Sequence, residues 1–245
     1  MQADWGTYWR DNTFDINGRV SVIRNLLKTQ IADTKYVRLG GPHDGGYIMA
    51  DDLGADDYLI SMGVDTNIDF ELDVAEIIRG MDMYDYSVDG PPSPVKNSRF
   101  FKEKVGSDVS LDQALSRVKE IAPESNALLK MDIEGSELEV LWRSNLSEFR
   151  QVALEGHWLF YIEDEQFFRN VVASLAKLRQ THTPVWVHAN NNQPLGVIGA
   201  CPVPNVIEAL FLRTDSYTFQ EVVNPFEGLE HRNDVNFPEI GLSFP

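Results

Sequence analysis

Three carboxylates and a histidine stand out because of where they fall. Asp132 and Glu134 follow the apolar run 127–131, and Glu155 and His157 follow the run 151–154. An acidic side chain at the mouth of a buried strand costs free energy unless it is paired, hydrogen-bonded or bound to a cation. If the two strands are neighbours, Asp132 and Glu155 project side by side with His157 close to both. Such a pair suits a hard divalent cation, and an imidazole beside it suits a general base. The competing reading is a salt-bridged loop with a capping histidine. Further on, His188-Ala189-Asn190-Asn191-Asn192 closes another apolar run. With Glu134, His188 and Asn190 are the candidates for orienting a hydroxylated substrate, although His188 alone reads as a core histidine satisfied by backbone.

Three other segments carry weaker signals. Ser61-Met62-Gly63-Val64-Asp65 follows the run 58–62, where Gly63 lets the backbone approach a ligand and the next helix start offers free N–H groups. Asp85 follows the run 81–87's apolar start, a place where a carboxylate accepts both hydroxyls of a ribose; Asp89 competes for that role. Ahead of all these, Gly40-Gly41 and Gly45-Gly46 bracket Asp44 and lead into Tyr47. Two glycine pairs so close describe either a loop folded around something small or a hairpin turn into residues 47–49. Part of the Asp132 segment has a structural account: Ser136 with Glu139 forms a capping box, and Gly135 supplies the turn. His43, His182 and His231 fall in no usable pattern.

These residues need a frame. Ile16, Val20, Ile23, Leu27 and Ile31 recur at helical spacing, predicting an N-terminal helix over 16–31 behind an aromatic arm of Trp5, Tyr8, Trp9 and Phe14. From residue 58 on, strand candidates at 58–62, 81–87, 100–105, 127–131 and 151–154 alternate with helical stretches. Helices are expected near 69–79, from Leu111 behind a Ser110/Gln113 capping box, on Leu138, Leu141 and Trp142, and on Phe168, Val172, Leu175 and Leu178. Two last strands, 183–188 and 206–213, are joined by a Pro- and Gly-rich connection too irregular for a crossover helix. Alternation of this kind predicts an α/β, Rossmann-like, doubly wound, mainly parallel seven-stranded sheet with an antiparallel last strand and helices on both faces. Ligands then sit beyond the carboxyl ends of the strands, where all the residues above fall.

Composition narrows the partners. The chain has 245 residues, 43% hydrophobic and 24% charged, an ordinary globular balance. Its 21 Lys and Arg against 38 Asp and Glu leave a formal charge of −17, which repels nucleic-acid backbones and anionic lipid, so neither a nucleic acid nor a membrane is an expected partner. One cysteine, Cys201, excludes an internal disulfide or a multi-cysteine zinc site. With no secretory leader pattern or long apolar run, the expected location is cytoplasmic.

Taken in order, the motifs resemble a known family. Lys130-Met131-Asp132-Ile133-Glu134-Gly135-Ser136-Glu137, followed by Val140-Leu141, is similar to the signature of the FkbM-like methyltransferases. Asp44-Gly45-Gly46-Tyr47, Ile60-Ser61-Met62-Gly63, Phe70-Glu71, Leu154-Glu155-Gly156-His157, His188 to Asn191 and Glu208 to Arg213 resemble landmarks of a subset of it. The resemblance spans 36–213, leaving 1–35 as arm and helix and 214–245 as a tail of a single domain, 1–245. It implies an S-adenosyl-L-methionine-dependent O-methyltransferase acting on a sugar, glycan or similar small hydroxylated acceptor, with Mg²⁺ or Mn²⁺ assisting. Cofactor contacts are then expected from Gly41, Asp44, Gly45, Gly46, Tyr47, Gly63, Asp65, Asp85 and Asp132. Asp132 and Glu155 would hold the metal and His157 would take the acceptor proton. One departure stands out: Ser61 occupies the place where such enzymes usually carry an acid, and the Asp44 to Tyr47 loop is expected to compensate. The family habit of fusion implies a longer chain with a glycosyltransferase, and the tail, with Phe226, Phe237 and Phe244, is a candidate for docking or homo-oligomer contacts. Two rivals are a nicotinamide-dependent oxidoreductase, which would want a GxGxxG turn that the Gly63 segment lacks, and a catalytically silent Rossmann-like binding module.

Overall fold

The computed structural model describes residues 15–220 and 225–242. In chain order the first strands are β1 (Ile31–Ala32), β2 (Tyr36–Leu39), β3 (Tyr47–Ala50), β4 (Asp57–Met62), β5 (Gly80–Tyr84) and β6 (Ser98–Phe101). Then come β7 (Asn126–Met131), β8 (Phe149–Gly156), β9 (His182–Ala189), β10 (Leu195–Ile198), β11 (Cys201–Pro204), β12 (Ile207–Arg213) and β13 (Phe219–Gln220). The helices are α1 (Ile16–Leu26), α2 (Asp69–Ala75), α3 (Leu111–Ile121), α4 (Glu137–Arg143) and α5 (Glu165–Leu178), with a 3-10 turn at Leu159–Glu163.

Seven strands form one sheet in the order β6-β5-β4-β7-β8-β12-β9. The pairs among β6, β5, β4, β7 and β8 are parallel, and β12 runs antiparallel to both its neighbours. Every residue of β4 and β5 is buried, as strands covered on both faces must be. One face packs on α1, α3, α4 and α5; the other packs on α2 and the β2–β3 hairpin. The chain leaves β4 toward β5 and β6, then crosses to β7 on the opposite side. That reversal opens a crevice past the ends of β4 and β7, the place where such sheets bind ligands.

The expected frame therefore holds, with local corrections. The predicted N-terminal helix stops at Leu26, and Ile31 belongs to β1 instead. The helix expected over 69–79 ends at Ala75, and the Arg79 N–H donates to the Asp57 carbonyl as the chain turns into β5. Ser110 and Gln113 do form their capping box at 3.2 and 2.8 Å. Ser136 does not cap α4: its backbone is helical, φ −94° and ψ −3°, so its hydroxyl cannot reach back as an extended N-cap does. Trp142 is exposed, and α4 packs through Leu138, Val140 and Leu141. The connection after β9 folds as the β10–β11 hairpin. Phe226 is buried against Tyr36 and Trp186 and so is not free for docking, whereas Phe237 is exposed. Trp5, Tyr8, Trp9, Phe14 and Phe244 lie outside the described residues. Among the described residues no helix is long and apolar enough to cross a membrane.

Candidate active site

A cleft of about 430 Å³ opens at the reversal, lined chiefly by residues that follow β2, β4, β5, β6 and β7. Its floor is the turn at Gly63, where φ is +76° and a Cβ would fall 1.5 Å from the Asp132 carbonyl oxygen. Only glycine lets the β4 and β7 ends approach this closely. The Lys130 ammonium, buried beneath, donates to the Gly63 carbonyl and lies 3.7 Å from Asp132 Oδ2. Asp85 braces the same turn: Oδ2 accepts from the Val64 and Asp65 N–H groups at 3.0 and 2.9 Å, and Oδ1 from the Ser87 N–H and hydroxyl at 2.7 Å. Burial by itself would raise the Asp85 pKa, but these hydrogen bonds outweigh it and bring the pKa below the usual aspartate range. Asp89 points away into solvent and pairs with Lys102, so it is not part of the cleft.

A buried acid stands beside Ser61 at the first strand end. Glu71, one turn into α2 and only 1% exposed, lines the cleft and accepts the Ser61 hydroxyl at 2.5 Å. The loop 40–46 contributes as well: Asp44, Gly45 and Tyr47 reach the cleft wall. Gly41 and Gly46 are not among its lining residues. They serve the hairpin itself, since a Cβ on Gly46 would meet the Gly41 carbonyl oxygen at 2.1 Å. The hairpin and the close-folding loop are thus one element.

At the ends of β7 and β8, Asp132, Glu155 and His157 come together, with one donor atom of each within 4.8 Å of the others. The parallel pairing of β7 with β8 produces this. Tyr47 ties the group to the hairpin, donating its hydroxyl to Asp132 Oδ2 at 3.1 Å and Glu155 Oε2 at 3.2 Å. Burial, then the charges of Asp132 and Glu155, push the Tyr47 pKa far up, so the phenol stays a donor. Burial and the charges of Asp132, Glu208 and Asp44 likewise raise the Glu155 pKa well above normal.

His157 is fixed by a residue the sequence reading assigned to no role. Glu137, 1% exposed, lies 3.0 Å from His157 Nδ1 through Oε1, and also accepts from the Ile133 and Gly135 N–H groups. An ionised carboxylate only accepts, so Nδ1 carries the hydrogen and Nε2 is left facing Glu134 at 3.3 Å, Asp132 at 3.9 Å and Glu155 at 4.0 Å. Burial pulls the His157 pKa down, but the Glu137 hydrogen bond and the surrounding carboxylates more than reverse it. Glu134 has its side chain mostly in solvent at the cleft edge. Like Glu155 and His157, which stand behind Asp132, His188 and Asn190 are not among the residues lining the cleft. Asn190 donates to Glu155 at 3.0 Å, and His188 is held by Glu239 at 2.6 Å, a side-chain partner rather than the expected backbone one. A smaller apolar cavity, bounded by Val20, Ile23, Leu159, Pro204 and Ile207, shares no lining residue with the cleft.

Residues 60–181 match the family model of the methyltransferase FkbM domain. No curated protein matches the chain. Among solved structures, a Streptococcus mutans protein described as a methyltransferase, in complex with SAH, is 13% identical, covering 66% of this chain and 88% of its own at a TM-score of 0.35. An rRNA methylase from Streptococcus thermophilus is 9% identical, covering 66% and 89% at a TM-score of 0.33. The 23S rRNA methyltransferase ErmE is 7% identical, covering 66% and 63% at 0.34. Superpositions this loose say nothing about a substrate.

Proposed function

This chain belongs, through residues 60–181, to the FkbM methyltransferase family, and on that premise we propose that it transfers a methyl group from S-adenosylmethionine to a hydroxyl of a sugar or similar small acceptor. The observation that carries the proposal is the convergence of Asp132, Glu155 and His157 beside the cleft.

The residues fit the cofactor chemically. Gly63 keeps the turn low, Asp85 holds the turn's N–H groups in place, and Glu71 offers a buried carboxylate where Ser61 cannot. S-adenosylmethionine supplies a methyl on a sulfonium, already activated, so the chain's main task is positioning. The acceptor hydroxyl is the harder partner, being a poor nucleophile at neutral pH. His157 answers that need: Glu137 orients the ring so that Nε2 turns to the Asp132, Glu134 and Glu155 side, where it would take the proton. Asp132 and Glu155 are hard oxygen donors suited to Mg²⁺ or Mn²⁺, and such an ion would lower the pKa of a bound hydroxyl. With a formal charge of −17 and carboxylates around the acceptor side, a phosphate-rich substrate is disfavoured.

The test separates the two roles. His157→Ala should keep cofactor affinity and lower turnover by about 10²–10⁴-fold, the range for a lost general base. Asp132→Asn should lose activity that excess Mn²⁺ partly restores. Full activity in EDTA together with normal turnover of His157→Ala would remove both assignments.

A further inference from the structure

Backbone strain gathers beside His157. Among the described residues, those other than glycine with positive φ are Asp65, Asn97, Glu134 and Trp158. Aspartate and asparagine tolerate the left-handed region, whereas a glutamate and above all a bulky tryptophan are outliers there. Both outliers flank the imidazole. Trp158, at φ +69° and ψ +29°, follows it in the chain, and Glu134, at φ +55°, lies 3.3 Å from Nε2. Strain of this kind persists only where the surroundings over-determine it, and it clusters at active sites and ligand clamps. Gly135, itself at φ +100°, belongs to the same arrangement. A Cβ there would collide with Trp158 Nε1 and Cδ1, so the turn is shaped to receive the indole. Its neighbours Ile133, Glu134 and Ser136 line the cleft, which puts the tryptophan at the cleft's edge.

The strain does not serve to bury the side chain. Trp158 remains 39% exposed and Tyr161 57%, their rings edge to face with centroids 6.3 Å apart. The Trp158 centroid lies 6.2 Å from that of His157. Two other exposed aromatics have their faces covered: Lys177 stands 5.8 Å over Trp142, and Lys104 4.9 Å over Tyr86. Among the described residues no cation covers Trp158 or Tyr161, and no acceptor takes the Trp158 N–H. The buried Trp186, by contrast, donates its N–H to Glu230 at 2.9 Å. A tryptophan kept for packing hides its ring and satisfies its N–H; this one holds both open beside the general base.

We propose that Trp158, backed by Tyr161, is the platform on which a ring-form acceptor sugar stacks, with Glu134 accepting hydroxyls at the sugar's edge. The π face of an indole is negative and attracts the slightly positive C–H groups on one face of a pyranose. An ionised carboxylate only accepts, which suits it to sugar hydroxyls, and the Glu134 side chain is 81% exposed and so within their reach. Stacking sets the plane of the ring, and the carboxylate sets its rotation within that plane beside His157 Nε2. The acceptor class is then a pyranoside, because an acyclic polyol offers no flat apolar face. This inference rests on the functional reading above and names the kind of acceptor.

Nuclear magnetic resonance of the full chain, isotope-labelled in its indoles and saturated with S-adenosylhomocysteine, reads the platform directly; the Trp158 signal is the one lost in Trp158→Phe. The probes are a panel of methyl pyranosides, sorbitol as the acyclic control and tetramethylammonium as a cation. At least one pyranoside should move the Trp158 signal, and sorbitol should not. For that pyranoside Trp158→Ala should weaken binding about 3–10-fold, and Trp158→Phe, which keeps a π face, should lose less. Trp158→Asn, at ease in left-handed backbone, should bind as weakly as Trp158→Ala yet keep the wild-type melting temperature. A melting temperature that falls while pyranoside affinity holds would make the tryptophan a packing residue and overturn the platform. So would a Trp158 signal that no pyranoside moves, that sorbitol moves equally, or that only tetramethylammonium moves. Methyl transfer to a pyranoside that leaves the signal still would overturn the platform and leave the functional reading standing. A shifted signal without methyl transfer to that pyranoside would support the platform and remove the functional reading.

Discussion

Glu137 decides what His157 can do. Its carboxylate holds the Nδ1 hydrogen and, through two backbone N–H groups, the turn that carries Asp132. Glu137→Gln can still accept from that turn but no longer fixes the imidazole by charge. Turnover should fall about 10–100-fold, the usual loss when an orienting partner is changed, while the melting temperature stays near wild type. An unchanged rate would show that the ring is held by other means. Asp85→Ala should weaken S-adenosylhomocysteine binding by about 1–3 kcal/mol through loss of charge-assisted hydrogen bonds at the Gly63 turn; calorimetry with unchanged affinity would detach Asp85 from the cofactor. Asp132, Glu155 and His157 were legible in sequence because each follows an apolar run that had to be a strand. Glu71, Glu137 and Glu208 were not. A glutamate inside a helix or strand reads as solvent-facing, and their burial arises from partners distant in the chain: Ser61, His157 and Asn233.

At the scale of elements, the strand-to-helix turn after β4 leaves a side chain less room than any other glycine position among the described residues. Gly63→Ala would place a methyl 1.5 Å from the Asp132 carbonyl oxygen at a left-handed backbone position. The left-handed penalty and the forced shift together should cost roughly 2–5 kcal/mol. Gly90→Ala, with nothing within 4 Å, should stay within about 0.5 kcal/mol of wild type. Urea unfolding checks both, and equal effects would mean that the β4 and β7 ends are not packed as described. The alternation of strands and helices was readable because apolar period and turn residues agree along 57–178. The cap of α4 was misread for a physical reason: Ser136 and Glu139 have the right spacing, but Glu137 takes the turn's N–H groups first and leaves Ser136 helical. Loop 40–46 offered two readings because glycine pairs serve both a hairpin and a close approach to a ligand; here they build the turn of the β2–β3 hairpin, and Gly45 also lines the cleft.

For the whole molecule, the sheet's polar tie at its helix-side entry sets an acid limit. His182 is 1% exposed, with Nε2 2.8 Å from the Phe149 carbonyl oxygen and Nδ1 2.8 Å from the Thr181 hydroxyl. Burial lowers its pKa to about 4. Above about 6.5 the ring is neutral whether the chain is folded or not; between there and about 4 only the unfolded chain takes the proton, so stability falls as pH falls through that window. Between pH 7 and 4.5, His182→Gln should lose about 2–3 kcal/mol less than wild type in urea titrations, and parallel losses would contradict the assignment. The same whole-molecule view sets aside the oxidoreductase and silent-module rivals, since the FkbM domain occupies the core that builds the cleft. The central claim, methyl transfer to a hydroxyl, is tested most directly by incubating the enzyme and Mn²⁺ with methyl-labelled S-adenosylmethionine and a panel of monosaccharide glycosides. The account predicts a labelled O-methyl ether on at least one glycoside. Label found only on amines or nucleic acid, with every glycoside unmodified, would contradict it.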